Sequence, residues 1–446
     1  MSELGMPPNS IENDEYRERQ AKLFSDMPLK SAMIICANPQ STRSNDVHYP
    51  FRTNSDLLYL TGWLEEGAVL FAKKIENHKP KVILFVKPND VLKEIWEGRR
   101  LGTDGAKKTS PIDDARSIDE LEEFINSEIR DVSEIFHQMN KNTKLDELLL
   151  SLISERSREK QKHGDGPIKI TDPTNILSEL RLIKSDKEIN LLKHACEITA
   201  YSHIEAMKMT KPNMGEWQLQ GLIEGCFRYC GSSGWAYPSI VGSGDNATIL
   251  HYKTNEEVML SGDLVLVDAG AEYEGYAADI TRTWPVNGTF SAEQRDIYSL
   301  VLESQKAAIE ACIVGNPCNS HHIAASEVLR KGLVKLGIIS QNSEDKDADL
   351  KKYFMHGTGH WLGLDVHDVG TYEPDGKPRL YEQGMVITVE PGLYFSKWRE
   401  DIPELDDKWR GIGVRIEDDI LITNSGPEIL TSMCPKEIDE IELLMK

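Results

Sequence analysis

The segment DLVLVDAGAEYEGYAADITRTWPV, residues 263–286, constrains the fold of this 446-residue chain more than any other stretch. Two alternating runs flank Glu274-Gly275, the pattern of a β-hairpin with a two-residue turn. With that turn, residue 273 pairs with 276 and Asp268 pairs with Thr281. Asp279 then lies diagonally across from Asp268 on the same face, because paired residues point the same way and side chains alternate along a strand. Diagonal neighbours have Cα atoms ~7–8 Å apart, close enough for two carboxylates to converge on a pair of cations. Asp268 ends the apolar run Leu264-Val265-Leu266-Val267, so it is a carboxylate at the end of a buried strand and needs a partner. Two acids held together without cations repel, and a pKa rises.

Other segments carry the same signal. In GMVITVEPGLY, Glu390 ends an apolar strand just before a Pro-Gly turn. In GIGVRIEDDILIT, Ile412, Val414 and Ile416 take one face and leave Arg415, Glu417 and Asp419 on the other. The stretch HGTGHWLGLDVH adds His356, His360 and His367. It does not read as a helical zinc-protease motif. Gly357 and Gly359 would each cost ~1 kcal/mol against Ala in a helix interior, and the glutamate expected after the first histidine is missing. Spacing alone leaves open which histidine binds a metal. Two Asp and two Glu bring four negative charges against the four positive charges of two divalent ions. A carboxylate-rich set with one imidazole suits hard or borderline cations such as Mn²⁺ better than a closed thiolate zinc site does. Two metals ~3.5–4 Å apart activate water and polarise a carbonyl, so the residues point to metal-assisted hydrolysis.

The length is too great for one ordinary core, which makes two or three domains the expectation. The formal charge of -22 argues against nucleic acid or an anionic membrane as a partner. Seven scattered cysteines, without a CxxC pair, suit reduced thiols in a cytoplasmic protein. The acidic start MSELGMPPNSIENDEY has neither signal-peptide nor transit-peptide character, and residues 1 to about 12 read as disordered. No apolar run approaches the ~20 residues that span a bilayer.

SAMIICANP, LLYLTGW, AVLFAKK and KVILFVKP read as strands, and the chain from about Ser110 to Lys162 as charged and helical in period. GDGPIKITDPT, residues 164–174, marks a boundary. Capping boxes at Ser185–Glu188 and Ser291–Gln294 open two helices, the second with Ile297, Leu300 and Val301 inward. His194 and His203 fall on the first of these helices and read as packing or capping groups. The expected organisation is an α/β domain over residues 1–175 and an α+β domain over 176–446, with helices outside a curved sheet.

From about Arg181 onward the chain resembles the pita-bread metallopeptidases, and specifically aminopeptidase P (Xaa-Pro aminopeptidase). The matching pieces are PSIVGSGDNATILHY, GDLVLVDAGAEYEGYAADITRTWPVNG, MHGTGHWLGLDVHDVG, GMVITVEPGLY and GIGVRIEDDI, in family order and spacing. TNSDLLYLTGW and IWEGRRLG resemble the N-terminal domain of that family. The resemblance implies two divalent metal ions, with Asp268 on one and Asp279 and Glu417 bridging both. It implies that His360 and Glu390 complete the ligand set of the second metal, so that only the middle histidine touches metal. His251 and His367 then orient substrate and stabilise the tetrahedral species, His356 lines the site, and Arg415 supports the carboxylates. A metal-bridging hydroxide is expected to attack the first carbonyl, with Glu390 shuttling the proton.

The expected substrates are peptides with proline second, whose tertiary nitrogen and rigid ring a pocket can select. Trp361, Tyr237 and Trp96 are candidates to shape it, Trp96 only across a domain or subunit boundary. The resemblance also implies a homodimer or homotetramer. The alternatives are an Xaa-Pro dipeptidase (prolidase), a methionine aminopeptidase, or a non-enzymatic peptide-binding module. The last would be expected to have lost ligands, whereas all five positions are filled here.

Overall fold

The computed structural model describes residues 6–164, 166–402 and 405–446. The chain divides into two compact units, Ile11–Arg181 and Leu182–Lys446, the latter joined by the segment ending at Ser10. Of the tail expected to be disordered, residues 1–5 lie outside the described residues.

The first unit contains α1 (Asn13–Asp26), β1 (Ser31–Cys36), β2 (Thr42–Ser44), β3 (Val47–His48), α2 (Ser55–Thr61), β4 (Val69–Lys74) and β5 (Lys81–Val86). It continues with α3 (Val91–Glu97), α4 (Gly102–Thr109), β6 (Asp114–Ser117), α5 (Leu121–Glu128), β7 (Glu134–His137), α6 (Thr143–His163), β8 (Lys169–Thr171) and α7 (Thr174–Leu182). Its main sheet has the order β6-β5-β4-β1-β7-β8 among the described residues. Ala32 and Ile34 of β1, Phe71 and Phe85 pack with Phe124 of α5 and with Leu145 and Leu149 of α6.

Three sequence expectations change here. LLYLTGW is helix α2, not a strand: the Asn54 side chain accepts from the amides of Asp56 and Leu57 and so caps the helix. Leu57, Leu58, Tyr59, Leu60 and Thr61 are all buried, which leaves no polar face to reveal a helical period. The segment expected to be helical also contains β6 and β7, whose parallel neighbours β5, β1 and β8 supply the ladder. Finally, the boundary falls at Arg181–Leu182 rather than at 175–176. Strand β8 is held on β7, and α7 on α2: the Tyr59 hydroxyl donates to the Leu180 carbonyl at 2.8 Å, and Arg181 meets Asp56 at 2.7 Å.

The second unit opens with α8 (Asp186–Met209), α9 (Glu216–Tyr229), β9 (Gly234–Trp235), β10 (Ile240–Ser243), β11 (Leu264–Ala269), β12 (Ala271–Tyr273), β13 (Tyr276–Ala277) and β14 (Ile280–Pro285). There follow α10 (Ala292–Glu310), α11 (Ser320–Lys335), α12 (Lys346–Leu350), β15 (Val386–Val389), β16 (Gly392–Phe395), β17 (Ile412–Arg415), β18 (Asp418–Thr423), β19 (Gly426–Ile429) and α13 (Ile438–Leu444). Antiparallel ladders β10-β11-β14 and β15-β18-β19, with the pair β16-β17, carry the helices on their outer surface, an α+β arrangement. Both capping boxes form as read, and Ile297, Leu300 and Val301 are buried. His194 and His203 are buried on α8, His203 bonding the Thr199 carbonyl one turn earlier. The seven cysteines are unbonded to one another. Among the described residues no helix is long and apolar enough to cross a membrane.

The hairpin has the expected register: Tyr273 opposite Tyr276 and Asp268 opposite Thr281. Glu274 (φ 52°) and Gly275 (φ 86°) both have positive φ, the requirement of the two-residue turn that matches strand twist.

Candidate active site

One cavity of about 300 Å³ brings together the metal-ligating and catalytic residues expected from the sequence: Asp268, Asp279, His360, Glu390 and Glu417, with His251, His356, His367 and Arg415 around them. Each acid reaches it from the end or interruption of a strand. Asp268 stands near the end of β11, Asp279 just before β14, Glu390 just after β15, and Glu417 between β17 and β18. At such positions the backbone can leave the ladder while the preceding apolar residues hold it in the core.

Gly359 explains why the histidine stretch is not helical. A Cβ there would lie 1.9 Å from the Thr388 carbonyl oxygen, so glycine permits the chain to run against β15. The Thr388 amide donates to the His360 carbonyl at 2.9 Å, and the His360 amide donates to the Thr388 hydroxyl at 3.1 Å. The His360 ring is oriented by its Nδ1, 3.1 Å from the Trp361 carbonyl. A carbonyl only accepts, so Nδ1 carries the proton and Nε2 presents its lone pair to the acids. Nε2 lies 3.5 Å from Asp279 and 3.9 Å from Glu390. Ligand atoms of Asp279, His360 and Glu417 all lie within 4.8 Å of one another, a spacing one cation can span.

The remaining bonds align the acids. Arg415 donates to Asp268 Oδ2 at 2.6 Å, to the Thr281 hydroxyl at 3.1 Å and to the Tyr394 hydroxyl at 3.1 Å. The Thr281 hydroxyl donates to Glu417 Oε2 at 2.6 Å. His356 Nδ1 faces the Gly357 carbonyl at 2.6 Å, so Nε2 accepts from Tyr394 at 2.8 Å. The Tyr237 hydroxyl contacts both Asp268, at 2.6 Å, and Asp279. It has one proton for two carboxylates, so the second contact needs a proton or a cation. Tyr394 and Thr281 were not singled out in the sequence, although Thr281 is the ladder partner of Asp268 and follows from the hairpin register. Trp361 does not shape the cavity: it is fully buried and stacked on Tyr372. Asp419 does not share the Glu417 face either, because the break at Ile416-Glu417 ends the alternation. Its Oδ2 instead accepts from the Asp279 amide at 3.0 Å.

Burial, together with the charges of neighbouring acids, pushes the carboxyls of Asp279 and Glu417 well above the carboxylate range. Burial lifts Glu390 to about 7. Among the described residues, Arg415 is the cation that bonds an acid of this cluster directly, so the donor set fits divalent cations. In the metal-free state these acids bind more protons folded than unfolded, and stability present below their ordinary pKa is lost as pH rises through the raised values. Burial pushes the His356 ring to about 3, and its opposite contribution lies below about pH 6.5. Metal-free protein is therefore expected to melt at a falling temperature from about pH 6.5 to 8. Saturating Mn²⁺ should abolish that fall; thermal melts at both pH values check this.

Comparison with known proteins matches residues 190–424 to metallopeptidase family M24 and residues 16–136 to the N-terminal domain of aminopeptidase P. The chain is 43% identical to Xaa-Pro aminopeptidase of Haemophilus influenzae, with 98% of each sequence covered. Zn-substituted aminopeptidase P of Escherichia coli in complex with product superposes with a TM-score of 0.91 at 41% identity, covering 98% of this chain and 99% of that one. Aminopeptidase PepP of Pseudomonas aeruginosa gives a TM-score of 0.91 at 39% identity, with 98% of each chain covered. The cavity of strand-end carboxylates thus sits in the pita-bread domain of a metal-dependent peptidase, and the chain belongs to metallopeptidase family M24.

Proposed function

We propose that this chain is an Xaa-Pro aminopeptidase that releases the first residue from peptides with proline second, using two divalent cations held by Asp268, Asp279, His360, Glu390 and Glu417. The observation that carries the reading is the lone pair of His360 Nε2 set among buried acids that hydrogen bonding to Arg415, Tyr237 and Thr281 leaves short of positive charge. Two divalent ions would balance the four carboxylates, and oxygen donors with one imidazole favour Mn²⁺. When bound, such ions lower the pKa of water and polarise the scissile carbonyl.

The residues of the chain do the rest. Glu390, at the cavity wall just after β15, moves a proton toward the leaving proline nitrogen. Burial lowers the His367 pKa, so the ring is neutral at pH 7 and donates a hydrogen bond to the developing oxyanion from the cavity wall it shares with His251. Arg415 and Tyr394 hold Asp268 and His356 in place. The protein should be given Xaa-Pro-Xaa, Xaa-Pro and Met-Ala-Xaa after metal stripping and Mn²⁺ restoration. Release of the first residue from the Xaa-Pro tripeptide is expected. Cleavage of the dipeptide alone makes it a prolidase, cleavage of Met-Ala-Xaa alone a methionine aminopeptidase, and metal binding without cleavage a peptide-binding module. Asp279→Asn should abolish turnover and lower the metal content; full activity in that variant rules out the two-cation site.

We also infer that the chain self-associates through α3, where Val91, Leu92, Ile95 and Trp96 are 71–89% exposed. These four exposed apolar side chains, interleaved on the helix with Lys93, Glu94 and Glu97, have the apolar-with-polar-rim character of a protein–protein contact. Leu92→Glu with Ile95→Glu is expected to shift the mass measured by light scattering from dimer or tetramer to monomer.

A further inference from the structure

The loop that carries His367 is anchored by an ion pair sealed from solvent. Lys184 lies in the segment just before α8, and its ammonium meets Asp368 Oδ2 at 2.9 Å with each side chain 1% exposed. The same ammonium reaches the Leu182 carbonyl at 3.4 Å, and the Lys184 amide donates to the Gly384 carbonyl at 2.9 Å, in the turn that leads into β15. Asp368 directly follows His367. Its amide donates to the Trp361 carbonyl at 2.8 Å, closing residues 361–368 into a loop, and the Gly363 carbonyl accepts from the Ala277 amide at 2.9 Å. The first end of the loop is fixed by Trp361, bridged to Ile387 and stacked on Tyr372 with ring centroids 5.1 Å apart. The second end is fixed by Asp368. Between them the His367 ring is brought within 4.4 Å of the His360 ring, centroid to centroid.

A buried ion pair adds little net stability over well-packed apolar residues of the same volume, because desolvation offsets the attraction. It does restrict geometry, since two buried charges tolerate few arrangements in which they meet. Neither side chain lines the cavity, yet one is the chain neighbour of a histidine that does. We propose that Lys184 and Asp368 are positioning residues whose buried pair sets the direction from which the His367 imidazole enters the cavity. The inference rests on the peptidase reading above and adds to it the group that aims one of its histidines.

The test is a cycle. Lys184→Met with Asp368→Leu removes both charges of the pair together, with Lys184→Met as the single variant. Each is combined with His367→Ala and loaded with Mn²⁺. Thermal melts report folding, elemental analysis reports bound metal, and Xaa-Pro-Xaa hydrolysis gives kcat and KM separately. The charge-free double variant is expected to fold, keep its metal and lose kcat by on the order of 10- to 100-fold, the scale set by small misplacements of a catalytic group. In the His367→Ala background the same change should leave kcat nearly unaltered. Equal losses in both backgrounds, an unchanged kcat with His367 present, or loss of metal would overturn the proposal. If the parent protein cleaves none of the peptides, the peptidase reading falls and the positioning is read by NMR. The His367 imidazole signals, assigned with His367→Ala, must move in the charge-free double variant; unmoved signals overturn the inference as well.

Discussion

Mutual repulsion among four buried carboxylates is the constraint on which the rest of the catalytic unit depends. Asp268, Asp279, Glu390 and Glu417 share one cavity, and among the described residues Arg415 is the cation that bonds one of them directly. A buried carboxylate without a partner costs several kcal/mol. The fold answers with rigid apolar strands behind each acid and hydroxyls from Tyr237 and Thr281 in front. Burial still pushes the carboxyls of three of the acids, Asp279, Glu390 and Glu417, above their ordinary range. A site of this kind is loaded: the repulsion that weakens the empty fold is what divalent cations relieve.

Three consecutive acids show how sharply environment decides chemistry. Glu417 faces the cavity. Asp418, fully buried, meets Arg282 at 2.7 Å and also Lys436, and these cations hold its carboxyl far below the usual range. Asp419 is buried too, but its partners are the Asp279 amide and the Cys196 thiol, and burial lifts it to about 7. Removing the Asp418 carboxylate would leave the buried Arg282 guanidinium with carbonyl partners in place of its anion, at a cost of ~3–5 kcal/mol. That pair is structural, anchoring β14 to β18 beside the cavity, and it keeps the backbone of Glu417 and Thr281 in place: the Glu417 amide donates to the Thr281 carbonyl at 3.0 Å.

What could be read early was what is local. Period-two alternation and a two-residue turn specify register within a dozen residues, so Asp268 and Asp279 could be placed on one face. The capping boxes of α8 and α10 satisfy orphan amides from side chains three residues away. Where local pattern and tertiary context disagree, context wins. Helix α2 is buried on every side and shows no polar stripe, and strands β6 and β7 exist because distant parallel neighbours supply their hydrogen bonds. The break at Ile416-Glu417, which turns Asp419 away from Glu417, was equally invisible to alternation.

The sequence by itself determined which residues were available for the chemistry: acids at the ends of apolar strands, histidines among glycines, and the resemblance that implied their roles. It could do so because burial pattern and turn preference are properties of short segments. Only the tertiary structure decided how those residues meet. The approach of His360 Nε2 to Asp279, the single Tyr237 hydroxyl between two acids, and the Lys184–Asp368 pair behind His367 all join positions far apart in the chain. Such contacts depend on distance and orientation across packed elements, which no local pattern encodes.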